Sequence, residues 1–388
     1  ESNFILDTVR IKGSYLLTSE YLGELRRLRV IDKSGNTISN IDVPESFSGE
    51  ISKYDHNSRE VHLNLWSPIV RSSEWIYKID ENTWYLVSSK NIKEQKDPAK
   101  FMLQDSNGVE YESYFLSYKS KDSTRIPIRV THQKGIDFKS NAPTLMQGYG
   151  GFGSNNYFYP DYNFMVKEFL KSGGVYLAPA LRGSYFFGQA WHDAGRALNK
   201  QNVVDDFIYA AEWAIRQKIT NPDRLVITGD SHGGLVVGAA ITQRPDLFGM
   251  AIPGYGPHDF SNKPMLDPRT VRHQVYEYGD LINDPAAITN AETISPYLRI
   301  RPNFYPQVLT IEGRQDSRVN PVHSYKFHQK LSRNQLGPAP IQLLTLSSSG
   351  HWMGSLIRQN LIGWRATSYV WASIYKFLDL KVNDKEVD

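Results

Sequence analysis

Val226-Ile227-Thr228-Gly229-Asp230-Ser231-His232-Gly233-Gly234-Leu235-Val236-Val237 joins an apolar run to G-x-S-x-G and then to a segment of helical character. The layout predicts a strand, a sharp turn and a helix, with the Ser231 hydroxyl lifted clear of the sheet at the turn. Glycines are required at 229 and 233 because side chains there would strike the neighbouring strand and helix. Backbone N–H groups at the start of the helix, that of His232 first, are then free to hold a developing negative charge. G-x-S-x-G also occurs in ordinary Gly/Ser loops, so the motif needs support from elsewhere in the chain.

Two later runs supply it. Gln307-Val308-Leu309-Thr310-Ile311 leads into Glu312-Gly313-Arg314-Gln315-Asp316-Ser317-Arg318-Val319, which places an acid in a loop just past a strand. Ile341-Gln342-Leu343-Leu344-Thr345-Leu346 leads into Ser347-Ser348-Ser349-Gly350-His351-Trp352. Ser231, Asp316 and His351 thus follow one another at the ends of buried strands, in the order that the sheet of an α/β-hydrolase fold delivers to one edge. Singly, Asp316 reads as an ion pair with Arg314 or Arg318, and His351 as a turn residue after glycine. Jointly, the residue types and their order favour a Ser-His-Asp site.

Composition agrees with a large enzyme. A chain of 388 residues, 40% of them hydrophobic, can bury more than one core. The net charge is only +3 and no basic run is interleaved with aromatics, so nucleic acid is not an expected partner. No apolar stretch is long enough to cross a bilayer, and Glu1-Ser2-Asn3-Phe4-Ile5-Leu6 lacks the layout of a signal peptide. The expectation is a cytoplasmic protein without a membrane partner, and a monomer, while a periplasmic or secreted protein stays open because the chain starts at Glu rather than Met. The absence of cysteine removes disulfides, thiol catalysis and cysteine metal sites, and the ten histidines show no H-E-x-x-H spacing. Neither metal nor cofactor is expected.

The character of the chain changes near residue 100. Residues 1–100 carry short alternating runs, such as Tyr15-Leu16-Leu17-Thr18, Leu28-Arg29-Val30-Ile31 and Val61-His62-Leu63-Asn64-Leu65, and form an all-β segment. Arg29-Val30-Ile31-Asp32-Lys33-Ser34-Gly35-Asn36 echoes Tyr77-Lys78-Ile79-Asp80-Glu81-Asn82 about 48 residues later, a spacing that suits propeller blades, although an ordinary β-meander fits as well. Residues 101–388 form an α/β domain with a mostly parallel sheet flanked by helices. Its helices are expected at 163–171, 203–218, 321–331 and 355–378. Gly148-Tyr149-Gly150-Gly151-Phe152-Gly153 formally fits G-x-G-x-x-G, but Ser154-Asn155-Asn156-Tyr157-Phe158-Tyr159-Pro160 is no helix start, which argues against nucleotide binding. A glycine-rich loop after an early strand belongs better beside the nucleophile, as part of an oxyanion site.

The combination of Gly148-Tyr149-Gly150-Gly151-Phe152, Leu181-Arg182-Gly183, Trp191-His192-Asp193-Ala194-Gly195, Asn199-Lys200-Gln201-Asn202, the elbow, Gln243-Arg244-Pro245-Asp246-Leu247-Phe248-Gly249, Gln315-Asp316-Ser317-Arg318-Val319 with His323-Ser324, and Gly350-His351 resembles the prolyl oligopeptidase family of serine peptidases. The likeness runs in register over about residues 110 to 355. It implies an α/β-hydrolase domain capped by a β-propeller, the all-β segment here resembling the last two blades and the earlier blades being absent. It implies a cofactor-free serine oligopeptidase that cuts short peptides, typically after proline, through an acyl-enzyme. Ser231 would be the nucleophile, His351 the general base and then acid, and Asp316 the group that orients the imidazole. The oxyanion would rest on the His232 N–H and the Tyr149 hydroxyl. Arg318 matches a residue that binds a substrate carbonyl, and Phe152, Tyr278 and Val319 match positions that line the pocket for the residue before the scissile bond.

The chain departs from the family at several of these positions. His232 stands where Asn is usual, and only its backbone is expected to matter. Aligning on Tyr278 puts Gln274 in place of a tryptophan that stacks on the substrate proline, and Pro257 replaces a small aliphatic residue. Arg182-Gly183-Ser184-Tyr185-Phe186-Phe187-Gly188 differs from the family's glutamate-containing loop near the substrate. Without the flat ring, the preference for proline loses part of its physical basis, so a broader oligopeptidase or an esterase using the same residues stays open. An inactive truncated fragment stays open as well.

Overall fold

The structure, a computed structural model, describes residues 4–44, 47–70, 72–87, 92–94, 103–105, 108–155, 163–261, 271–351 and 361–380. Trp352, the expected helix start at Ser355 and the segment 156–160 lie outside them.

The N-terminal part is all-β. Strands β1 (Ile5–Lys12), β2 (Tyr15–Leu22), β3 (Leu25–Asp32) and β4 (Thr37–Val43) form one antiparallel meander. A second is formed by β5 (Ser48–Asp55), β6 (Glu60–Trp66), β7 (Ser73–Lys78), β8 (Thr83–Val87) and β9 (Ile92–Glu94). Period-two alternation explains the packing, since Val61, Leu63 and Leu65 of β6 all point inward. They share one core with Leu17, Leu28, Val30 and Ile41 of the first meander. The sequence echo has a structural counterpart: Arg29–Asn36 and Tyr77–Asn82 each span the third strand of a meander and the turn after it. Repetition of one antiparallel unit is how propeller blades are built.

The second part is one sheet of eight strands, β10 (Tyr111–Lys119), β11 (Arg125–Gln133), β12 (Thr144–Gln147), β13 (Val175–Pro179), β14 (Leu225–Asp230), β15 (Met250–Gly254), β16 (Gln307–Gly313) and β17 (Ile341–Leu346). Their order is β10-β11-β13-β12-β14-β15-β16-β17. β10 with β11 and β11 with β13 pair antiparallel, and every later pair is parallel. This is the sheet of an α/β-hydrolase fold. Both faces are covered, so neighbouring residues on one strand enter opposite cores. Leu145, Tyr176 and Val226 face Phe169, Trp371 and Ile374, whereas Met146, Leu177 and Ile227 face Phe207, Val236 and Phe327.

The helix expected over 203–218 spans Gln201–Arg216, and that over 321–331 spans Val322–Asn334. The first stops early because Lys218 takes a left-handed φ of 59° and its N–H turns back to the Ile215 carbonyl. Among the described residues no helix is long and apolar enough to cross a membrane.

The loop from Arg182 to Gly188 meets the all-β segment. The Phe186 carbonyl accepts from Gly23 N at 3.0 Å, and a Cβ on Gly23 would lie 2.8 Å from the Phe187 ring. At its other end Ser184 bridges Gly153. The aromatic pair that sets this loop apart in sequence therefore packs on the turn between β2 and β3.

Candidate active site

Residues carried past the C-terminal ends of β12, β14, β16 and β17 come together at one edge of the sheet, because parallel pairing points these strands the same way. Ser231 follows β14 with φ 58° and ψ −118°, a left-handed conformation costly for a side chain, and caps the helix His232–Gln243. The surroundings enforce the turn. The Ser231 N–H is held by the Gly254 carbonyl at 2.8 Å. A Cβ on Gly229 would come within 2.6 Å of the Gly148 carbonyl oxygen, and one on Gly233 within 2.4 Å of the same atom.

The Ser231 hydroxyl donates to His351 Nε2 at 2.9 Å. The Nδ1–H of the same ring donates to Asp316 Oδ2 at 2.6 Å, because a carboxylate can only accept. The other oxygen of Asp316 accepts the backbone N–H groups of Arg318 (2.8 Å) and Val319 (2.9 Å). Asp316 therefore spends its carboxylate on the imidazole and its own loop, not on the guanidinium of Arg314 or Arg318. All three side chains are buried. This arrangement can move a proton from the serine hydroxyl to the imidazole while the carboxylate stabilises the charge that forms.

Tyr149, Phe152, Ser231, His232, Gln274, Tyr278, Arg318 and Val319 line a single pocket of about 290 Å³, together with Pro257 and Phe260. Every substrate-side residue singled out in the sequence is thus beside Ser231. Phe152 reaches the pocket through a left-handed φ of 55°, with Gly150 two residues before it and Gly153 directly after it at 65° each. Its ring lies 6.0 Å from that of Tyr278, which in turn lies 5.2 Å from Phe260. Phe260 escaped the sequence reading because nothing local distinguishes it from a core phenylalanine. Burial, aided by the charge of Glu277, pushes the Tyr149 hydroxyl up to about 12, while its hydrogen bond with Ser231 pulls the other way. Tyr149 thus remains a neutral donor at neutral pH. Among the described residues Arg318 forms no ion pair, which leaves its exposed guanidinium facing the pocket.

The His232 side chain was expected to be incidental; instead it is fully buried and bonded at both nitrogens. The Gly150 carbonyl, an acceptor only, requires a proton on Nε2 (3.1 Å), so Nδ1 accepts from the Tyr278 hydroxyl (2.7 Å). Burial, reinforced by the nearby positive charge of Lys200, drives its pKa down to about 3 and keeps the ring neutral.

Behind Tyr278 lies a buried ionic cluster. Glu277 pairs with Lys200 through Oε1 and with His192 Nε2 through Oε2 at 2.9 Å. Burial alone would raise the Glu277 carboxyl, but the Lys200 charge and the His192 bond outweigh it and hold it at about 2. The Lys200 ammonium lies 5.4 Å from the centre of the Tyr278 ring.

Glu312, next to the end of β16, is a different case. It accepts from Ser324 Oγ at 2.5 Å and from Gly313 N at 2.9 Å. Burial, outweighing the Ser324 hydrogen bond and reinforced by the charge of Asp316, raises its carboxyl to about 8. The folded protein therefore holds a proton that the unfolded chain releases near the ordinary value of 4.5, so this group's stabilisation is complete below that pH and is lost as pH rises to about 8. Glu312→Gln is expected to flatten that decline and to melt higher than the parent at pH 8. Thermal melts of both proteins at pH 5 and pH 8 check this, and parallel pH dependences would count against it.

A family model described as the prolyl oligopeptidase family matches residues 160–377. The chain is 29% identical over 348 residues to a prolyl endopeptidase of Elizabethkingia miricola, covering 89% of this chain and 47% of that protein. It is 30% identical over 377 residues to a prolyl endopeptidase of Dictyostelium discoideum, covering 93% of this chain and 46% of that one. It thus spans about half the length of the curated relatives it matches. A solved prolyl endopeptidase structure superposes with a TM-score of 0.78 at 29% identity, over 98% of this chain and 54% of its own.

Proposed function

As a member of the prolyl oligopeptidase family, this chain is, we propose, a serine oligopeptidase that hydrolyses short peptides after proline through an acyl-enzyme, with Ser231, His351 and Asp316 as its triad. The single observation that carries the reading is the unbroken hydrogen-bond chain from Ser231 through His351 to Asp316 at the mouth of an aromatic pocket.

In the first half-reaction Ser231 Oγ attacks the scissile carbonyl while His351 Nε2 takes its proton, and Asp316 steadies the imidazolium. The oxyanion is held by the His232 N–H at the start of the helix and by the Tyr149 hydroxyl, a site worth about 10² to 10³ in rate per donor. The C–N bond then breaks, with the proton passing from His351 to the leaving amine. Water repeats the sequence on the ester. Arg318 lines the same pocket, which supports a role in holding a carbonyl of the peptide on the N-terminal side of the cut.

Preference for proline is supported by apolar walls that do not depend on the missing tryptophan. Phe152, Phe260, Tyr278, Pro257 and Val319 enclose a space suited to a compact, rigid ring. Gln274 adds one polar patch, which makes the selectivity weaker than a stacked aromatic would give.

The test is the initial rate on otherwise identical fluorogenic peptides carrying Pro, Ala, Phe or Lys before the scissile bond, with a short-chain ester in parallel. Proline peptides are expected to turn over fastest, with alanine next. Equal rates on all four peptides would replace the proline reading with a broad oligopeptidase. Ester turnover alone would make the protein an esterase, and inertness on every substrate would favour an inactive fragment.

A further inference from the structure

We propose that the imidazole of His232 is a positioning residue that fastens the Tyr149-bearing loop and the Tyr278 wall of the pocket to the helix of the nucleophile; this rests on the peptidase reading above. The ring stands where the glycine-rich loop, the Tyr278 wall and the helix of the nucleophile meet. Its Nε2–H donates to the carbonyl of Gly150, the residue directly after Tyr149, at 3.1 Å. Its Nδ1 accepts from the Tyr278 hydroxyl at 2.7 Å. A Cβ on Gly151 would lie only 2.3 Å from His232 Cδ2, so the glycine loop rests directly against the imidazole. The rings of Tyr149 and Phe152 meet it near edge-on, with centroids 5.7 Å and 6.0 Å away.

Away from His232 the loop is anchored by the Gly153 N–H to the Gly183 carbonyl at 3.0 Å and by close packing of Gly150 on Val203 and Leu181, and the imidazole adds a direct side-chain tie to the helix of the nucleophile. Phe152 sits in a left-handed conformation, which persists only where neighbours over-determine it, whereas Gly150 takes its φ of 65° at little cost. A displacement of about 1 Å in an oxyanion donor can cost about 10²-fold in rate. A carbonyl tied to the residue after the nucleophile sets that distance through a chain of very few bonds. The tie also survives across the working pH range, because the buried ring stays neutral and keeps one donor and one acceptor.

The side-chain chemistry makes a sharp distinction between replacements. The amide nitrogen of glutamine can occupy the place of Nε2 and still donate to Gly150, whereas that of asparagine lies near the place of Nδ1 and reaches only toward Tyr278. On a proline peptide, His232→Ala is expected to lower kcat about 10- to 100-fold while KM moves less than about 3-fold, the mark of an interaction used in the transition state. Tyr149→Phe is expected to lower kcat by about 10² to 10³. Because His232 acts through Tyr149, the double variant should be no slower than Tyr149→Phe alone, within about 3-fold. His232→Gln should regain most of kcat and His232→Asn should not.

Losses that multiply in the double variant, equal rates for the Gln and Asn variants, or parental kcat in His232→Ala would overturn the role of His232 while leaving the peptidase reading intact. A parent inert on peptides and ester overturns both. Thermal melts of each variant identify any that does not fold, and if His232→Ala is one, the Gln and Asn pair carries the same comparison.

Discussion

Replacing Ser231 with alanine is expected to lower kcat on a peptide substrate by about 10⁶-fold, and adding His351→Ala to cost almost nothing further, because the two act as one unit. The geometry explains the non-additivity. In the proposed mechanism His351 Nε2 takes the proton of the hydroxyl 2.9 Å away and then passes that same proton to the leaving amine, so once the hydroxyl is gone neither step can begin. Asp316→Asn is expected to cost about 10⁴ without unfolding the protein. An amide at that position can donate to Nδ1, which moves the imidazole proton to Nε2 and turns the base into a donor aimed at Ser231. Single-turnover rates on the best substrate of the panel, normalised to folded protein, check both. Residual activity within tenfold of the parent in Ser231→Ala would place the chemistry elsewhere.

The largest effect on stability is expected from Glu277→Ala. The side chains of Glu277 and Lys200 are 0% and 1% exposed, so truncating the carboxylate leaves an ammonium in a nearly dry interior. Breaking one half of such a pair costs about 3–5 kcal/mol, whereas removing both halves in favour of apolar groups is often close to neutral. Glu277→Leu combined with Lys200→Met should therefore recover most of what Glu277→Ala loses, and urea unfolding of the three proteins measures it. A loss below about 1 kcal/mol in Glu277→Ala would mean that Lys200 finds water or another acceptor. Tyr278 and His192 touch the same cluster, so the pocket wall should loosen together with the core, and KM should rise in Glu277→Ala even at temperatures where it stays folded.

How much of this was readable depended on the range of the interaction concerned. The elbow glycines, the apolar runs of β14, β16 and β17 and the acid and histidine just beyond them are signals contained within a dozen residues or so. Alternation of Leu145 with Met146 and of Val226 with Ile227 is what a doubly covered strand looks like before it folds. The N-terminal echo at Asp32 and Asp80 likewise reported a repeated unit, although only strand pairing distinguishes two meanders from one long one. Helix ends were displaced by a few residues, because a stop such as Lys218 depends on a backbone conformation that any non-glycine residue resists and tertiary contacts must impose.

The sequence by itself determined that a serine, an acid and a histidine would stand, in that order, at the ends of three strands of a mostly parallel sheet, because strand order, turn chemistry and periodicity are local properties that packing then obeys. The tertiary structure alone decided the partners of the buried polar groups. Lys200 meets Glu277 across 77 positions, His192 meets it across 85 and His232 meets Tyr278 across 46, and no spacing rule links them. A polar group removed from water must bond to whatever the fold brings within about 3 Å, and that choice exists only once the sheet and its helices have closed around it.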